Sequence, residues 1–328
     1  MSSYRAAGVD LEGAERHVSN ISVPVTSTWN ERVTGPFGGF AAGVTLPKGY
    51  RNPVLMLTTD GVGTKLDLAR RTSKWAGVGF DLVAMVVDDL AAVGAAPLGL
   101  VDYLAVGALD STRDLVIIDS IARACLVAGC PLLGGETAEH PGVMATDQVD
   151  LAATALGVVE QGTEWGPHRV EAGDVVIGLT SPNLRSNGFS LVRAIIDGRD
   201  LEMKVGDSTL ADLLLEPSLI YSPQVLPAIG TFSVHAAAHI TGGGLESNLA
   251  RVVPPQFSPA IDFGSWEVPP IFQLLQEWGG VDDAEMARTF NMGIGFCLVV
   301  AVDTVTGLIA QLGGGAQVIG RIEEQDVN

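Results

Sequence analysis

The chain has 328 residues, of which 47% are hydrophobic and 17% are charged, and its formal net charge is −19. This length predicts about two domains with enough apolar material for a core, and the composition argues against disorder. The negative charge argues against nucleic acid as a partner, because phosphate backbones need a basic surface. It is compatible with small phosphorylated ligands if metal ions neutralise their phosphates.

The sequence also indicates the compartment. No apolar run reaches the roughly 20 residues of a membrane-spanning helix, and the polar, acidic N-terminal segment is unlike a signal peptide. Cys125, Cys130 and Cys297 do not have the spacing of metal ligands. We therefore expect a cytoplasmic protein with reduced, buried thiols and no membrane association.

The first strong pattern in chain order is a strand, a glycine turn and a helix. A helix-forming arm over residues 1–20 and a glycine-rich turn over 35–43 come before it. Strand 53–59 then leads into Asp60-Gly61-Val62-Gly63-Thr64-Lys65, followed by a helix over 66–71. Such a junction presents backbone N–H groups to an anion, although its spacing is not that of a P-loop. Asp60 is placed to bind a metal or a ribose, or to cap the turn.

Residues 80–93 predict a helix with one broad apolar arc and three carboxylates, Asp81, Asp88 and Asp89, on its other side. Carboxylates without a basic partner repel one another unless a cation joins them. One interpretation is therefore a divalent-metal site, with Mg²⁺ favoured by hard oxygen ligands. The other is a solvated acidic face on which Asp81 caps the helix. The helix pattern leaves both open.

The first half continues with a strand over 98–106, a helix over 115–128 and a short strand over 131–133. Glu136 then follows a glycine pair, as another carboxylate near a strand end. A strand over 149–159 completes a βαβαβ-like order, which predicts an α/β or α+β fold. Turn residues at 160–167 predict the domain boundary, so we assign residues 1–165 to an N-terminal domain and 166–328 to a C-terminal domain.

The second half repeats strand, glycine turn and helix. Strand 175–179 precedes Ser186-Asn187-Gly188 and a helix over 189–196. Ser186 and Asn187 are helix caps by default, and with Arg185 they are also suited to grip a phosphate. A helix start is expected at 216–218, and later strands at 290–302 and 317–322.

Gly242, Gly243 and Gly244 separate strand 236–241 from a helix. Three glycines are costly there unless the backbone must approach a ligand closely, so we expect a phosphate at this helix N-terminus. His239, just upstream, is a candidate acid–base group or polar anchor. A single histidine in an apolar strand is nevertheless more often structural.

Several motifs stand in order along nearly the whole chain. They are Tyr4 with Ala7-Gly8-Val9-Asp10, residues 59–65, 81–85 with Asp89-Leu90, 134–139 with Pro141-Gly142, 186–193, 239–245 and 288–295. Together these motifs resemble the phosphoribosylformylglycinamidine cyclo-ligase (AIR synthetase) family.

The resemblance implies an N-terminal α/β domain whose sheet forms a barrel across a homodimer, and an α/β C-terminal domain that closes over a cleft. It also implies that Mg-ATP lies near the first domain's carboxylates, which by position are Asp60, Asp89 and Glu136. The implied reaction transfers the γ-phosphoryl of ATP to the formyl-amide oxygen of formylglycinamidine ribonucleotide. Ring closure then gives 5-aminoimidazole ribonucleotide, ADP and phosphate, a step of purine biosynthesis.

The resemblance also implies roles for individual residues. Asp60, Asp89 and Glu136 would hold Mg²⁺, while Lys65 and the amides of Gly61, Gly63 and Thr64 would face phosphate. Asn187 and Gly242 to Gly244 would bind nucleotide or the ribose phosphate of the substrate. His239 would handle the proton released at ring closure. These roles suit phosphoryl transfer, which depends on positioning and charge neutralisation more than on a nucleophilic side chain.

The sequence departs from the family pattern at three positions. Ser22 stands where family members commonly have a lysine that reaches ATP, Arg185 where they have histidine, and Asp88 where they have asparagine. Two alternatives stay open. One is another ATP-using member of the superfamily, such as a selenophosphate synthetase, a thiamine-phosphate kinase or a hydrogenase-maturation dehydratase. The other is a nucleotide-binding relative without turnover, which the departures at Ser22 and Arg185 keep open.

Overall fold

The computed structural model describes residues 11–325, which form two α/β units, each built on one principal sheet. The strands are β1 (Val33–Thr34), β2 (Gly43–Val44), β3 (Pro53–Gly61), β4 (Ala96–Val106), β5 (Leu132–Glu139), β6 (Val149–Glu160), β7 (Val175–Thr180), β8 (Lys204–Val205), β9 (Ser208–Thr209), β10 (Val234–His239), β11 (Phe257–Ile261), β12 (Ile294–Val300) and β13 (Ala316–Glu324). The helices are α1 (Leu11–Ser27), α2 (Lys65–Thr72), α3 (Val78–Ala92), α4 (Ser111–Ala128), α5 (Phe189–Ile195), α6 (Leu210–Leu214), α7 (Ser222–Val225), α8 (Gly244–Ala250), α9 (Pro270–Gly279), α10 (Asp283–Thr289) and α11 (Val305–Leu312).

The first sheet has the strand order β3-β6-β4-β5. Only β4 and β5 are parallel, and α4 is the crossover between them. One face of this sheet packs on α3 and α4. The other carries exposed apolar side chains, including Leu55 at 54%, Leu57 at 72% and Tyr103 at 43% exposure. Successive strand residues alternate between the faces, so this alternation of buried and exposed positions defines an inner and an outer face.

Helix α3 is the centre of the N-terminal unit. Its apolar arc, including Leu82, Val83 and Val86, is completely buried. Gly79 lets α4 approach closely, because a Cβ there would lie 2.2 Å from the backbone nitrogen of Ile121. The predicted helix is therefore confirmed, and it is a core element surrounded on nearly every side.

The second sheet, β10-β12-β7-β13-β11, is antiparallel throughout. Two apolar clusters cover its faces. Helices α5, α6, α9 and α10 belong instead to the same apolar cluster as α3, through residues such as Phe189, Leu210 and Phe272. A continuous core thus joins the two units and fixes the walls of the cleft between them.

Most sequence predictions of strands and helices are confirmed within a few residues of their bounds, and the fold is the expected mixed α/β one. The helix start expected at 216–218 is wrong, since α7 begins only at Ser222. The motif at Tyr4 to Asp10 lies outside the described residues. No helix within 11–325 is long and apolar enough to cross a bilayer, and the three cysteines are buried and unpaired with one another.

Candidate functional site

A cleft of about 440 Å³ lies between the two units. The N-terminal unit contributes Asp60 to Thr64, and the C-terminal unit contributes Ser186 to Leu191. The N-cap of α2, Thr64, and the first turn of α5 therefore line one cavity, and neither helix has a side-chain hydrogen bond at its N-cap. Free N–H groups at a helix start favour anions. The predicted grouping of Gly61, Gly63, Thr64 and Asn187 around one site agrees with this geometry.

Asp60 lines the cleft at the end of β3, and Asp89 of α3, which accepts a hydrogen bond from Thr58 of the same strand, is its neighbour. Asp60 is half-buried and accepts a hydrogen bond from the backbone N–H of Gly61 at 2.7 Å. Burial raises the pKa of Asp60, and the neighbouring Asp89 raises it further. Burial also acts to raise the pKa of Asp89, but hydrogen bonds from His239 and Thr58 outweigh it and lower that pKa. Asp89 is therefore an ionised carboxylate beside a second carboxylate, and a cation between them would relieve their repulsion.

Within residues 11–325, no group of three or more His, Cys, Asp or Glu side chains is arranged to hold a metal. The predicted third ligand, Glu136, therefore does not join Asp60 and Asp89 within one chain. Register pairs Asp60 with Ala153 and pairs Glu136 with Tyr103, which puts the two carboxylates on opposite faces of the sheet. The remaining pair fits Mg²⁺, which commonly takes one or two carboxylates together with substrate phosphates.

Lys65 is not a cleft residue in this structure. Its ammonium lies 2.7 Å from Oδ2 of Asp81 and donates to the backbone carbonyls of Arg185 and Glu216 at 2.9 and 3.0 Å. The side chain is almost completely buried. The prediction that its ammonium faces phosphate is therefore wrong, because the group is enclosed behind the glycine turn.

Asp81 and Asp88 are also buried, so neither interpretation of the acidic helix face holds for them. Asp81 pairs with Lys65, and Asp88 lies 2.9 Å from Nη2 of Arg185. Burial raises the pKa of both carboxyls, and the cationic partners oppose that rise. Of the three carboxylates on this helix, only Asp89 is left for a cation.

His239 is the last residue of β10, and its ring lies between two charged groups. Nδ1 is 2.9 Å from Oδ1 of Asp89, and Nε2 is 2.9 Å from Nη2 of Arg185. A guanidinium can only donate, so Nε2 accepts and the ring proton sits on Nδ1. With both nitrogens engaged, His239 has no free lone pair. These contacts fit the predicted alternative of a polar anchor, and a role in handling the proton of ring closure stays a prediction.

The structure does not require glycine equally at the three positions after His239, which are Gly242, Gly243 and Gly244. Gly243 and Gly244 have φ of +99° and +68°, and a Cβ on Gly244 would lie 1.8 Å from the carbonyl oxygen of Ala287. These two are required by the backbone itself. A Cβ on Gly242 would meet only Oδ1 of Asn187, at 3.8 Å. Only Gly242 therefore supports the predicted approach of a ligand, and Gly243 lines a separate cavity of about 890 Å³ beside Trp266.

Residues 41–159 match the family model described as AIR synthase related protein, N-terminal domain, and residues 171–328 match the C-terminal domain of the same description. The phosphoribosylformylglycinamidine cyclo-ligase of Neisseria meningitidis serogroup C (strain 053442) is 44% identical over 329 residues, covering 98% of this chain and 96% of that protein. This chain belongs to the phosphoribosylformylglycinamidine cyclo-ligase (AIR synthetase) family. The cyclo-ligase of Burkholderia vietnamiensis is likewise 44% identical, over 98% of this chain and 92% of its own length.

Solved structures show how widely the AIR synthetase fold is shared. The hydrogenase maturation protein HypE in complex with ATP superposes with a TM-score of 0.70 at 18% identity, over 97% of this chain and 89% of that one. Thiamine-monophosphate kinase from Stenotrophomonas maltophilia K279a superposes with a TM-score of 0.65 at 20% identity, over 97% of this chain and 95% of that one. At such identity the likeness establishes the fold alone.

Two features of this AIR synthetase family member were missed at the sequence level. The first is the burial of Lys65 and Arg185, whose partners lie far along the chain. The second is Asp102, a carboxyl of β4 beside Gly135. Burial raises the pKa of Asp102 to about 7. The sequence feature that could have indicated Asp102 is its position in an otherwise apolar strand.

Proposed function

We propose that this chain catalyses the ATP-dependent cyclisation of formylglycinamidine ribonucleotide to 5-aminoimidazole ribonucleotide. One observation carries the proposal. A chain that aligns almost end to end with cyclo-ligases has a cleft lined by Asp60 and by two helix N-termini, and Asp89 is the charged neighbour of Asp60. Such a cleft suits the phosphates of a nucleotide bound with a divalent cation.

The chemistry needs activation of a poor leaving group. An amide oxygen leaves readily only after it has received the γ-phosphoryl of ATP, and an amidine nitrogen of the substrate can then close the imidazole ring. Phosphoryl transfer relies on alignment and charge neutralisation. The backbone N–H groups of Gly63, Thr64 and Gly188 can supply part of both, because they start the helices that border the cleft.

Asp60 and Asp89 would hold Mg²⁺, which supplies neutralisation of the triphosphate when it is bound. Asp89 is kept ionised and oriented by His239 and Thr58. Asp60 is held at the turn by the N–H of Gly61. The role of the chain is therefore to present two fixed carboxylates beside a set of backbone donors.

The proposal includes a homodimer formed through the outer face of the first sheet. This face exposes Leu55, Leu57, Val101 and Tyr103, all at least 43% accessible. Contiguous exposed apolar surface on a sheet is typical of an interface, and two such sheets facing each other enclose a barrel. Glu136 lies on this outer face, so its contribution would be made at the subunit interface.

The test is incubation with Mg-ATP and formylglycinamidine ribonucleotide. The expected result is ADP released in a one-to-one ratio with 5-aminoimidazole ribonucleotide, and neither product when Mg²⁺ is chelated. ATP binding without either product would support a non-catalytic relative. ADP formation only with a different acceptor, such as thiamine phosphate, would indicate another activity of the superfamily.

A further inference from the structure

Four side chains form one continuous polar row behind the cleft, in the order Asp88, Arg185, His239, Asp89. Each successive pair is 2.9 Å apart, first between Oδ2 and Nη2, then between Nη2 and Nε2, then between Nδ1 and Oδ1. Asp88 and Arg185 have no exposed side-chain surface, His239 has 2% and Asp89 has 37%. The row therefore runs from the protein interior to the carboxylate that borders the proposed cation site.

The donors and acceptors of the row allow one arrangement of protons. Arg185 can only donate, so Nε2 of His239 must carry a lone pair. The single proton of the neutral ring is then on Nδ1, where the carboxylate of Asp89 accepts it. A proton on Nε2 would instead point at the guanidinium and lose its acceptor. Both ends of the row thus select the Nδ1–H tautomer.

Arg185 is fixed by contacts of both terminal nitrogens and of the face of its guanidinium. Its Nη1 donates to the carbonyl of Leu219 at 2.9 Å, and its guanidinium lies 4.8 Å from the ring centroid of Tyr221. Its backbone has φ of +58°, a conformation uncommon for a side-chain-bearing residue. Asp88, its counterion, accepts the N–H groups of Tyr221 and Ser222 at 2.8 and 2.9 Å. The donor therefore cannot turn away from His239 without breaking several buried contacts.

We propose that Arg185, balanced by Asp88, is a positioning residue that fixes His239 as the Nδ1–H tautomer and thereby orients Asp89 for its cation. Arg185 acts through His239 and touches no reacting atom. The two departures from the family pattern at Asp88 and Arg185 then depend on each other. If position 88 held the family's asparagine, the guanidinium of Arg185 would be a buried charge without a counterion. If position 185 held the family's histidine in its neutral form, the carboxylate of Asp88 would lose its strongest hydrogen-bond donor.

The first experiment observes the tautomer directly. Long-range ¹H–¹⁵N correlation spectra of the ¹⁵N-labelled full-length protein give the protonation of each ring nitrogen, and a His239→Gln variant identifies the signals of His239. We expect a protonated Nδ1 and an unprotonated Nε2. In Arg185→Met the donor to Nε2 is absent and only Asp89 still selects Nδ1–H, so the population of the Nε2–H form should rise.

Two further variants separate positioning from stability. Asp88→Asn/Arg185→Met leaves no buried charge unpaired, so it is designed to fold even where the single variant does not, and it should show the same change of tautomer. Arg113→Met is the matched control, because Arg113 forms another largely buried pair, with Asp114 at 2.7 Å, on α4. Its loss should lower the melting temperature and leave the His239 signals unchanged.

The kinetic readout rests on the proposed function, whereas the spectra do not. In the charge-neutral double variant, kcat/KM for Mg-ATP should fall about 10- to 100-fold, the range for residues that orient a metal ligand. The KM for the ribonucleotide should stay within twofold. Absence of cyclisation in the wild type would remove the proposed function and leave the tautomer test standing. An unchanged His239 spectrum in both Arg185 variants would overturn the positioning role.

Discussion

Replacement of Lys65 by methionine tests the finding that this lysine is structural. Methionine keeps the length of the side chain and removes the charge. Asp81 would keep its hydrogen bonds from Ser218 at 2.6 and 3.0 Å, but it would lose the ammonium at 2.7 Å. Breaking one partner of a fully buried ion pair costs about 3–5 kcal/mol. An unfolding entropy of about 2.1 cal/mol/K per residue gives about 0.7 kcal/mol/K for 328 residues. The melting temperature should therefore fall by about 4–7 °C.

The assay is thermal unfolding of Lys65→Met, Asp81→Leu and the double variant, together with steady-state kinetics. Replacing both partners by apolar side chains removes the unpaired charge, so the double variant should recover most of the lost stability. It should also keep the KM for Mg-ATP within about threefold, because neither side chain lies in the cleft. An unchanged melting temperature for Lys65→Met together with a large rise in that KM would refute the structural role and return Lys65 to the phosphate.

Three other predictions concern the core, the glycine turn and the outer face. Between pH 4 and 7 the folded state binds the proton of Asp102 more tightly than the unfolded state does, so this carboxyl lowers the stability of the fold as pH rises. At pH 8 the unfolding free energy of Asp102→Asn should therefore exceed that of the wild type by up to about 4 kcal/mol. At pH 4 the two proteins should have the same melting temperature. Gly244→Ala should lower the melting temperature of the C-terminal unit, because the added Cβ would clash with the backbone. Gly242→Ala should leave the melting temperature unchanged and weaken ligand binding. Equal losses of stability in the two variants would count against that distinction. Leu57→Lys should shift the sedimentation coefficient from dimer to monomer, and the equally exposed Val302→Lys should not; a dimer in both would place the interface elsewhere.

The sequence was sufficient for the strands, the main helices and the cleft loops, because those depend on local patterns. Helix α3 was recognisable from its apolar arc, and the turn at Gly61 to Thr64 from its place between a strand and a helix. The family membership followed from motifs spread over the chain, which the relatives at 44% identity confirm.

The charges could not be placed from local patterns. Asp81 and Asp88 seemed to lack basic partners because Lys65 and Arg185 come from other segments and reach them only in the folded core. Glu136 matched a family motif, but the two-residue period of β5 turns it to the outer face of the sheet. The N–H groups of Ser218, Tyr221 and Ser222, which stabilise both buried carboxylates, lie in a segment expected to start a helix.

Titration calorimetry with a non-hydrolysable ATP analogue tests most directly whether Asp60 and Asp89 bind a nucleotide through Mg²⁺. The comparison is wild type against Asp89→Asn, which keeps the shape of the side chain and removes its charge. Wild type should bind the analogue only with Mg²⁺ present, and the variant should bind at least about tenfold more weakly at an unchanged melting temperature. Equal affinity in both proteins, or equal affinity with and without Mg²⁺, would contradict the assignment of the cation to these two carboxylates.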